Sequence, residues 1–403
     1  MNIINHLCTI EQVKKVWLKA GKERPIERFH PWVFSGAIQK TDDNIDNGDI
    51  VLVLSNRDKK LGYGHYFDGN IAIRILSFDA HIIIDQDFWN SKIKEALQMR
   101  LALGFSLKDA NNNCFRLIHG EGDGLSGLII DFYNGTAVVQ LHTDGMLKNL
   151  DQIVEALKAV LGEHLKSIYN KSNNTLNTPN NDGSIFGEKR SKSYVVENGL
   201  NFEVNWEEGQ KTGFFLDQKD NRLLLRTLAK NKTVLNTFCY TGGFSINALA
   251  GGAASVTSID ISEKAMELVK MNTTLNHFDE AIHKMICADV MQLLKQNENN
   301  YDIVVLDPPA FAKSIRAKHN AVQAYKRLNT WGMGVVKKGG LLFTFSCSQV
   351  VDNALFEHTV IAAALASGKQ AKIIKRLGQS ADHPVSAFHP EGSYLKGLLL
   401  YIS

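Results

Sequence analysis

From about residue 195 onward, runs of four to six mostly apolar residues alternate with stretches of helical length. The runs 234–238, 255–259, 283–287, 303–306 and 341–345 are separated by helix candidates near 244–251, 262–276, 290–297, 317–336 and 353–366. A strand that is apolar on both faces must be covered on both, and strands spaced by helices pair in parallel. The expected fold class is therefore α/β, with a doubly wound sheet in the C-terminal half. Two more strand patterns, 372–377 and 397–403, follow one another with only a loop between them. They add an antiparallel pair at the sheet edge and bring the strand count to seven.

The first half reads differently. Residues 1–77 form short strands punctuated by turn chemistry, with Gly48-Asp49 before 50–54, a turn at 56–59, and Gly62 and Gly64 ahead of 71–76. That pattern predicts a small β-barrel. Phe88, Ile93, Leu97 and Leu101 then recur near the 3.6 period of a helix. Asn134-Gly135 marks a hairpin between strands 128–133 and 136–141, and 148–161 is helical again. An Asn-, Ser- and Thr-rich stretch, 171–182, has no periodicity and reads as an exposed loop. The expected domains are 1–77, an α+β middle domain 78–185, and 186–403.

Forty-five Lys and Arg against 42 Asp and Glu leave a net charge of +3, so any cationic surface must be local. No apolar run approaches the ~20 residues of a membrane helix. No basic-then-apolar leader opens the chain. Five scattered cysteines without a C-x-x-C pair indicate a reduced, cytoplasmic protein with no cysteine zinc site and no expected metal.

Ligands of doubly wound sheets sit at the carboxyl ends of the strands. The first strand ends in Asn236-Thr237-Phe238-Cys239-Tyr240-Thr241-Gly242-Gly243 and a helix. Gly242 and Gly243 let the backbone approach a ligand, or simply make a tight turn. The G-x-G-x-x-G spacing of nicotinamide enzymes is missing. Asp260, 18 residues past Gly242, ends the second strand where a carboxylate would hold a ribose diol; capping the next helix is the equal alternative. Asp289 ends the third strand and offers an acceptor to an adenine amine, or another cap. These ends point to a nucleoside-bearing cofactor, with Asn236, Phe238 and Tyr240 beside it.

The fourth strand ends in Asp307-Pro308-Pro309-Ala310-Phe311. The prolines fix the turn so that Asp307 projects from the sheet, while Pro308 and Phe311 can face a planar substrate. Such a motif marks S-adenosylmethionine methyltransferases that act on nucleobases. The fifth strand ends in Ser346-Cys347-Ser348. Cys347, beside Asp307, is placed as a nucleophile whose pKa nearby cations should lower; the alternative is an inert buried thiol. Cys239 is its competitor and reads as structural, together with Cys8, Cys114 and Cys287. Between residues 310 and 338 lie seven cations and no acid. Lys313, Arg316 and Lys318 are expected to contact phosphates, against the alternative of a solvated helix face. A second basic group, Lys14, Lys15, Lys19, Lys22, Arg24 and Arg28, opens the N-terminal module.

End to end, the chain resembles the bacterial large-subunit ribosomal RNA methyltransferases that place a PUA domain before a class I methyltransferase domain, in the cytosine-5-specific group. The resemblance rests on Gly21–Arg24 and His30–Gly36, on Arg116–Asp131, on Gly209-Gln210-Lys211-Thr212-Gly213-Phe214-Phe215-Leu216-Asp217-Gln218, on the motifs at Asp307 and Cys347, and on Asp382-His383-Pro384 and Pro390-Glu391-Gly392. It implies a Rossmann-like methyltransferase domain, S-adenosylmethionine as cofactor with Phe215 added to its contacts, and large-subunit ribosomal RNA as partner. It also implies that Cys347 adds to cytosine C6 while Asp307 holds the N3 edge; proximity to a thiolate would raise the Asp307 pKa. A homodimer is compatible with the sequence. The competing readings are methylation of an exocyclic or ring nitrogen, which needs no cysteine, and a non-catalytic RNA-binding assembly factor. A nicotinamide oxidoreductase ranks third.

Overall fold

The computed structural model describes residues 13–176, 182–296, 300–312 and 314–403. Its C-terminal sheet comprises β1 (Thr233–Thr237), β2 (Ser255–Asp260), β3 (His283–Cys287), β4 (Tyr301–Leu306), β5 (Val336–Ser346), β6 (Ala371–Leu377) and β7 (Lys396–Ile402). The order across the sheet is β3-β2-β1-β4-β5-β7-β6. The first five are parallel, and β7 is antiparallel to both β5 and β6. The helices between and after its strands are α1 (Gly243–Ala250), α2 (Glu263–Leu275), α3 (Val290–Gln296), α4 (Lys318–Val335) and α5 (Asn353–Ser367), and a further helix, Lys219–Leu228, precedes β1. Successive strand residues go to opposite faces. Val234, Ile303, Val305 and Phe343 pack with Phe244 of α1, while Leu235, Val304, Leu306 and Leu342 pack with Tyr325 of α4 and Phe356 of α5. The sheet is thus covered on both sides, as its apolar runs require.

The antiparallel pair at the edge is present, but β7 is inserted between β5 and β6 rather than added outside them. Side-chain chemistry explains the order. Leu398, Leu399, Leu400 and Ile402 of β7 are all buried, so β7 needs cover on both sides. β6 carries Lys372, Lys375 and Arg376 and can face water, as edge strands do.

Six N-terminal strands form one sheet whose two edge strands, Trp32–Phe34 and Ile38–Thr41, are joined by Ser35–Ala37 alone. A three-residue link between opposite edges forces the sheet to curl around Val16, Leu18, Val33, Val51, Val53, Ile73 and Ile75, which is the expected barrel. The middle sheet has five strands, and its strand Gly183–Gly187 pairs with Ser167–Asn170. It therefore runs past the expected boundary at 185.

Of the described part of the 171–182 stretch, the start is buried rather than exposed. Lys171 and Ser172 are buried, and the Lys171 ammonium donates to the carbonyls of Trp206, Glu207 (2.9 Å) and Gly209 (2.8 Å). A buried turn with unpaired carbonyls needs such a donor. Cys114, Tyr133, Val138 and Tyr169 of the middle domain share one core with Val234, Phe244 and Phe345. Cys8 and Lys313 lie outside the described residues.

Candidate active site

The turn after β1 is shaped by three left-handed residues, Phe238 (φ 52°), Tyr240 (φ 47°) and Gly242 (φ 78°). Two of them are not glycine, a strain that persists only where surroundings hold it. Asp260 does so: its Oδ2 accepts from the Tyr240 N–H at 3.0 Å and its Oδ1 from the Ser262 N–H at 3.0 Å. The α2 N-cap is Ser262, which accepts from Ala265, so Asp260 is not the cap. A carboxylate can accept about four hydrogen bonds, so Asp260 keeps capacity for a ribose diol. Phe215 meets Tyr240 edge-on at 5.2 Å, which brings the Gly209–Gln218 block to the same turn.

Two expected cofactor residues sit differently. Asn236 is 1% exposed and donates to Ser245; beyond it a buried chain runs through Ser258 and His283 to Thr273. It braces the turn from beneath. Asp289 is exposed, and its Oδ1 accepts from the Met291 and Gln292 N–H groups, so one oxygen caps α3. The donor set still suits a nucleoside-bearing cofactor: the α1 N-terminus at Gly242–Gly243, with carboxylates on the two neighbouring strand ends. A cavity of about 390 Å³, lined by Gly209, Gln210, Tyr240 and Ser262, opens beside this turn and not at Cys347.

Asp307 follows β4, and Cys347 follows β5, the neighbouring strand. Burial, and then the Asp217 carboxylate, push Asp307 up to about 7, against Gln218, Lys211 and Arg222. The resemblance leads one to expect this rise from a thiolate; its causes are burial and a second acid. Gln218 donates to Asp307 at 3.0 Å. Asp217 is buried, and Lys211, His383 and the Tyr394 hydroxyl outweigh that burial to hold it low; Tyr394 donates to it at 2.6 Å.

The cysteine departs from expectation. Burial pushes the Cys347 thiol up, and Asp307 and Asp217 add to this, although Lys211 and Lys396 pull it down. Desolvation outweighs the cations. Lys396, at the start of β7, donates to the Ser348 carbonyl at 2.7 Å, and burial draws it down to about 8. Cys239 is buried and its thiol is raised far more strongly by burial and Asp260. Cys114 is buried, and Cys287 is exposed at the end of β3. Pro308 is buried, and the Phe311 ring leans on Tyr325 at 4.7 Å; the Tyr325 hydroxyl meets Ser348 at 3.0 Å.

Sequence reasoning does not single out Asp217, Gln218, Tyr394, Lys211 or Lys396 as site residues. The available signal is a pair of polar residues, Asp217 and Gln218, directly after the apolar Phe214-Phe215-Leu216. Nor does it find the polar seam to the middle domain. Arg116 makes a two-pronged pair with Asp131 at 2.8 and 2.9 Å, Thr212 donates to Asp131 at 2.5 Å, and the Arg116 N–H donates to Asp382 at 2.8 Å. Arg222 likewise pairs with Glu197 at 2.7 and 2.6 Å. The Asp131 and Asp382 contacts lock the Gly209–Gln218 block and the 378–395 loop against the middle sheet, and Arg222 ties its helix to the strand Lys192–Glu197.

The basic segment is divided. Arg316 is exposed and Lys318 half-buried at the site end of α4. Lys337 and Lys338 follow α4, 18 residues long, hence about 27 Å away along its axis. Lys337 pairs with Asp302, which lies near the start of β4 at the opposite end of the sheet. The seven cations therefore do not form one surface beside the site.

Residues 115–396 match the family model described as S-adenosylmethionine-dependent methyltransferase, and residues 16–78 match that of a PUA-like domain. The chain is 40% identical over 393 residues to ribosomal RNA large subunit methyltransferase I of Pseudoalteromonas atlantica, covering 96% of this chain and 98% of that one. It is 38% identical to the protein of that name from Pseudoalteromonas translucida, covering 95% and 98%. A solved structure described as a candidate S-adenosylmethionine-dependent methyltransferase from Streptococcus mutans superposes with a TM-score of 0.82 at 23% identity, covering 96% of this chain and 99% of that chain. Another methyltransferase structure, complexed with SAH, gives 0.83 at 23% identity, with the same coverage; both share the fold.

Proposed function

The chain belongs to the S-adenosylmethionine-dependent methyltransferase family, and from that premise we propose that it methylates C5 of a cytidine in large-subunit ribosomal RNA through a transient Cys347–C6 adduct. The observation that carries this reading is that Cys347 and Asp307 lie just past the ends of adjacent strands, where the Asp307 charge acts on the thiol.

S-adenosylmethionine supplies an electrophilic methyl group. The turn at Tyr240–Gly243 and Asp260 would hold its nucleoside part. Cytosine C5 is a weak nucleophile until the 5,6 double bond is broken. The Cys347 sulfur adds to C6, its proton passes to a base, and negative charge develops toward N3. Asp307, near neutrality, is suited to take the thiol proton and present it to N3. C5 would then take the methyl group as its bond to the sulfonium sulfur breaks, a base removes H5, the electron pair of that C–H bond reforms the double bond as the thiolate leaves, and the N3 proton returns through Asp307 to the thiolate. Phe311, steadied by Tyr325, is suited to stack on the flipped base. The N-terminal barrel would grip the folded RNA by shape and phosphate. The raised thiol favours a second reading, methylation of an exocyclic or ring nitrogen, because that reaction needs no thiolate.

RNA carrying 5-fluorocytidine at the target separates the two, since fluorine cannot leave as a proton and the adduct stalls. A covalent protein–RNA band on a denaturing gel is expected from the unmutated protein and from Cys239→Ala, and none from Cys347→Ala. Cys347→Ala should also abolish methyl transfer while retaining S-adenosylmethionine binding. Transfer by Cys347→Ala at a rate near the parent's would refute the adduct and favour nitrogen methylation.

A further inference from the structure

Away from the site just described, the N-terminal barrel meets the 378–395 loop through side chains from opposite ends of the chain. His30, His389 and Glu391 each present a ligand atom, all within 4.8 Å of one another; among the described residues this is the one such grouping of three. We infer that these three residues form a divalent transition-metal site, of zinc or nickel type, that clamps the barrel to the loop carrying Tyr394.

Two features of the geometry carry this. The His389 side chain is 3% exposed, yet neither of its ring nitrogens has a hydrogen-bond partner. A buried imidazole with both nitrogens unsatisfied is costly and calls for an explanation; a metal would satisfy one. Its ring is boxed in by Trp32 at 4.3 Å and His30 at 5.4 Å, so it cannot turn out to water for a substitute.

The second feature is His30. Its Nδ1 lies 3.3 Å from the Trp32 carbonyl oxygen and 3.2 Å from the Trp32 nitrogen, so it donates to the one or accepts from the other according to its tautomer. Metal-bound histidines commonly donate their other N–H to a backbone carbonyl in this way. When Nδ1 donates, Nε2 is a lone pair facing Glu391, 4.0 Å from its Oε1, while His389 Nε2 lies 3.8 Å from Oε2. Ligands about 2.1 Å from a shared ion in tetrahedral geometry sit about 3.4 Å apart. Rotation of the 55%-exposed Glu391 side chain can bring its carboxylate closer to both rings. Two imidazoles and a carboxylate suit zinc-type ions and leave a fourth position for water. Cysteine spacing predicts no metal, and no sequence pattern joins His30 to His389.

The test is titration of the full chain with Zn²⁺ alone against a chromophoric chelator, and with Co²⁺ followed by absorbance. One equivalent should bind, and Co²⁺ should give four-coordinate bands without thiolate charge transfer. Loss of an outer partner already costs 10–100-fold in other sites, so Glu391→Gln and His389→Gln should each weaken binding by at least about a hundredfold. Glu391 is exposed, so its variant tests the site even where His389→Gln misfolds. Cys287→Ser and His164→Ala should leave binding unchanged. Absence of saturable binding, binding that survives Glu391→Gln, or a thiolate band would overturn the site.

Discussion

Replacing Asp217 by Asn tests how the pocket sets the proton balance of the reaction. The Asp307 carboxyl rises from an ordinary 3.8 to about 7, about 4 kcal/mol in favour of its neutral form. Burial is the larger cause and the Asp217 charge the second. The Asp217 charge is the smaller of the two raising causes, and Asp217→Asn should lower the Asp307 pKa toward the ordinary carboxylate range. Asn keeps an oxygen for the Tyr394 hydroxyl, now 2.6 Å from the carboxylate, so the fold should persist.

The sign on rate follows from proton counting. Thiolate with protonated Asp307 and thiol with ionised Asp307 hold the same number of protons, and either is competent. With the thiol titrating above Asp307, the single-turnover rate should climb with pH, inflect near 7 and level off. In Asp217→Asn the inflection should move to lower pH. Methyl transfer to RNA measured from pH 5 to 9 checks this. An inflection that stays in place, or moves up, would refute the like-charge argument.

Breaking the buried Arg116–Asp131 pair with Asp131→Asn should destabilise the protein by about 3–5 kcal/mol, because an uncompensated buried charge remains; urea denaturation would register it. Asp260→Ala should weaken S-adenosylmethionine binding by about 1–3 kcal/mol, read by calorimetry; an unchanged dissociation constant would reduce Asp260 to a brace for the turn. Neutralising Arg316 and Lys318 should flatten the salt dependence of RNA binding by about 0.7–0.9 for each phosphate that is no longer neutralised. Neutralising Lys337 and Lys338 at the far end should leave it unchanged, and equal effects would refute the division of the segment.

The sheet is legible in the sequence because its strands are apolar on both faces: 255–259 and 283–287 reappear as β2 and β3 with at most one added residue. The strand ends are legible because fold topology sends ligands there, which locates the turn at Gly242 and the positions of Asp307 and Cys347. Residues held by long-range contact are not. Asp217 acts on Asp307 only once the Gly209–Gln218 block folds over the sheet, and Tyr394 reaches it from 177 positions away. Lys171 looks like a polar loop residue because its partners, the carbonyls of 206–209, carry no side-chain signal. The cations near Cys347 predict a lowered pKa by themselves; how dry its surroundings are depends on packing, which a charge count does not report.

The interior position of β7 has a consequence for biosynthesis. A chain made from its amino end completes β5 and then β6 before β7 exists, yet β6 pairs only with β7. While β7 is still being synthesised, β6 has no neighbour in the sheet, and the inner edge of β5 stays open to any extended segment. Tyr394 and Lys396 arrive with that same late segment, one beside Asp217 and the other beside Cys347. On the proposed mechanism, the surroundings of Asp307 and Cys347 are therefore complete only once the sheet is closed.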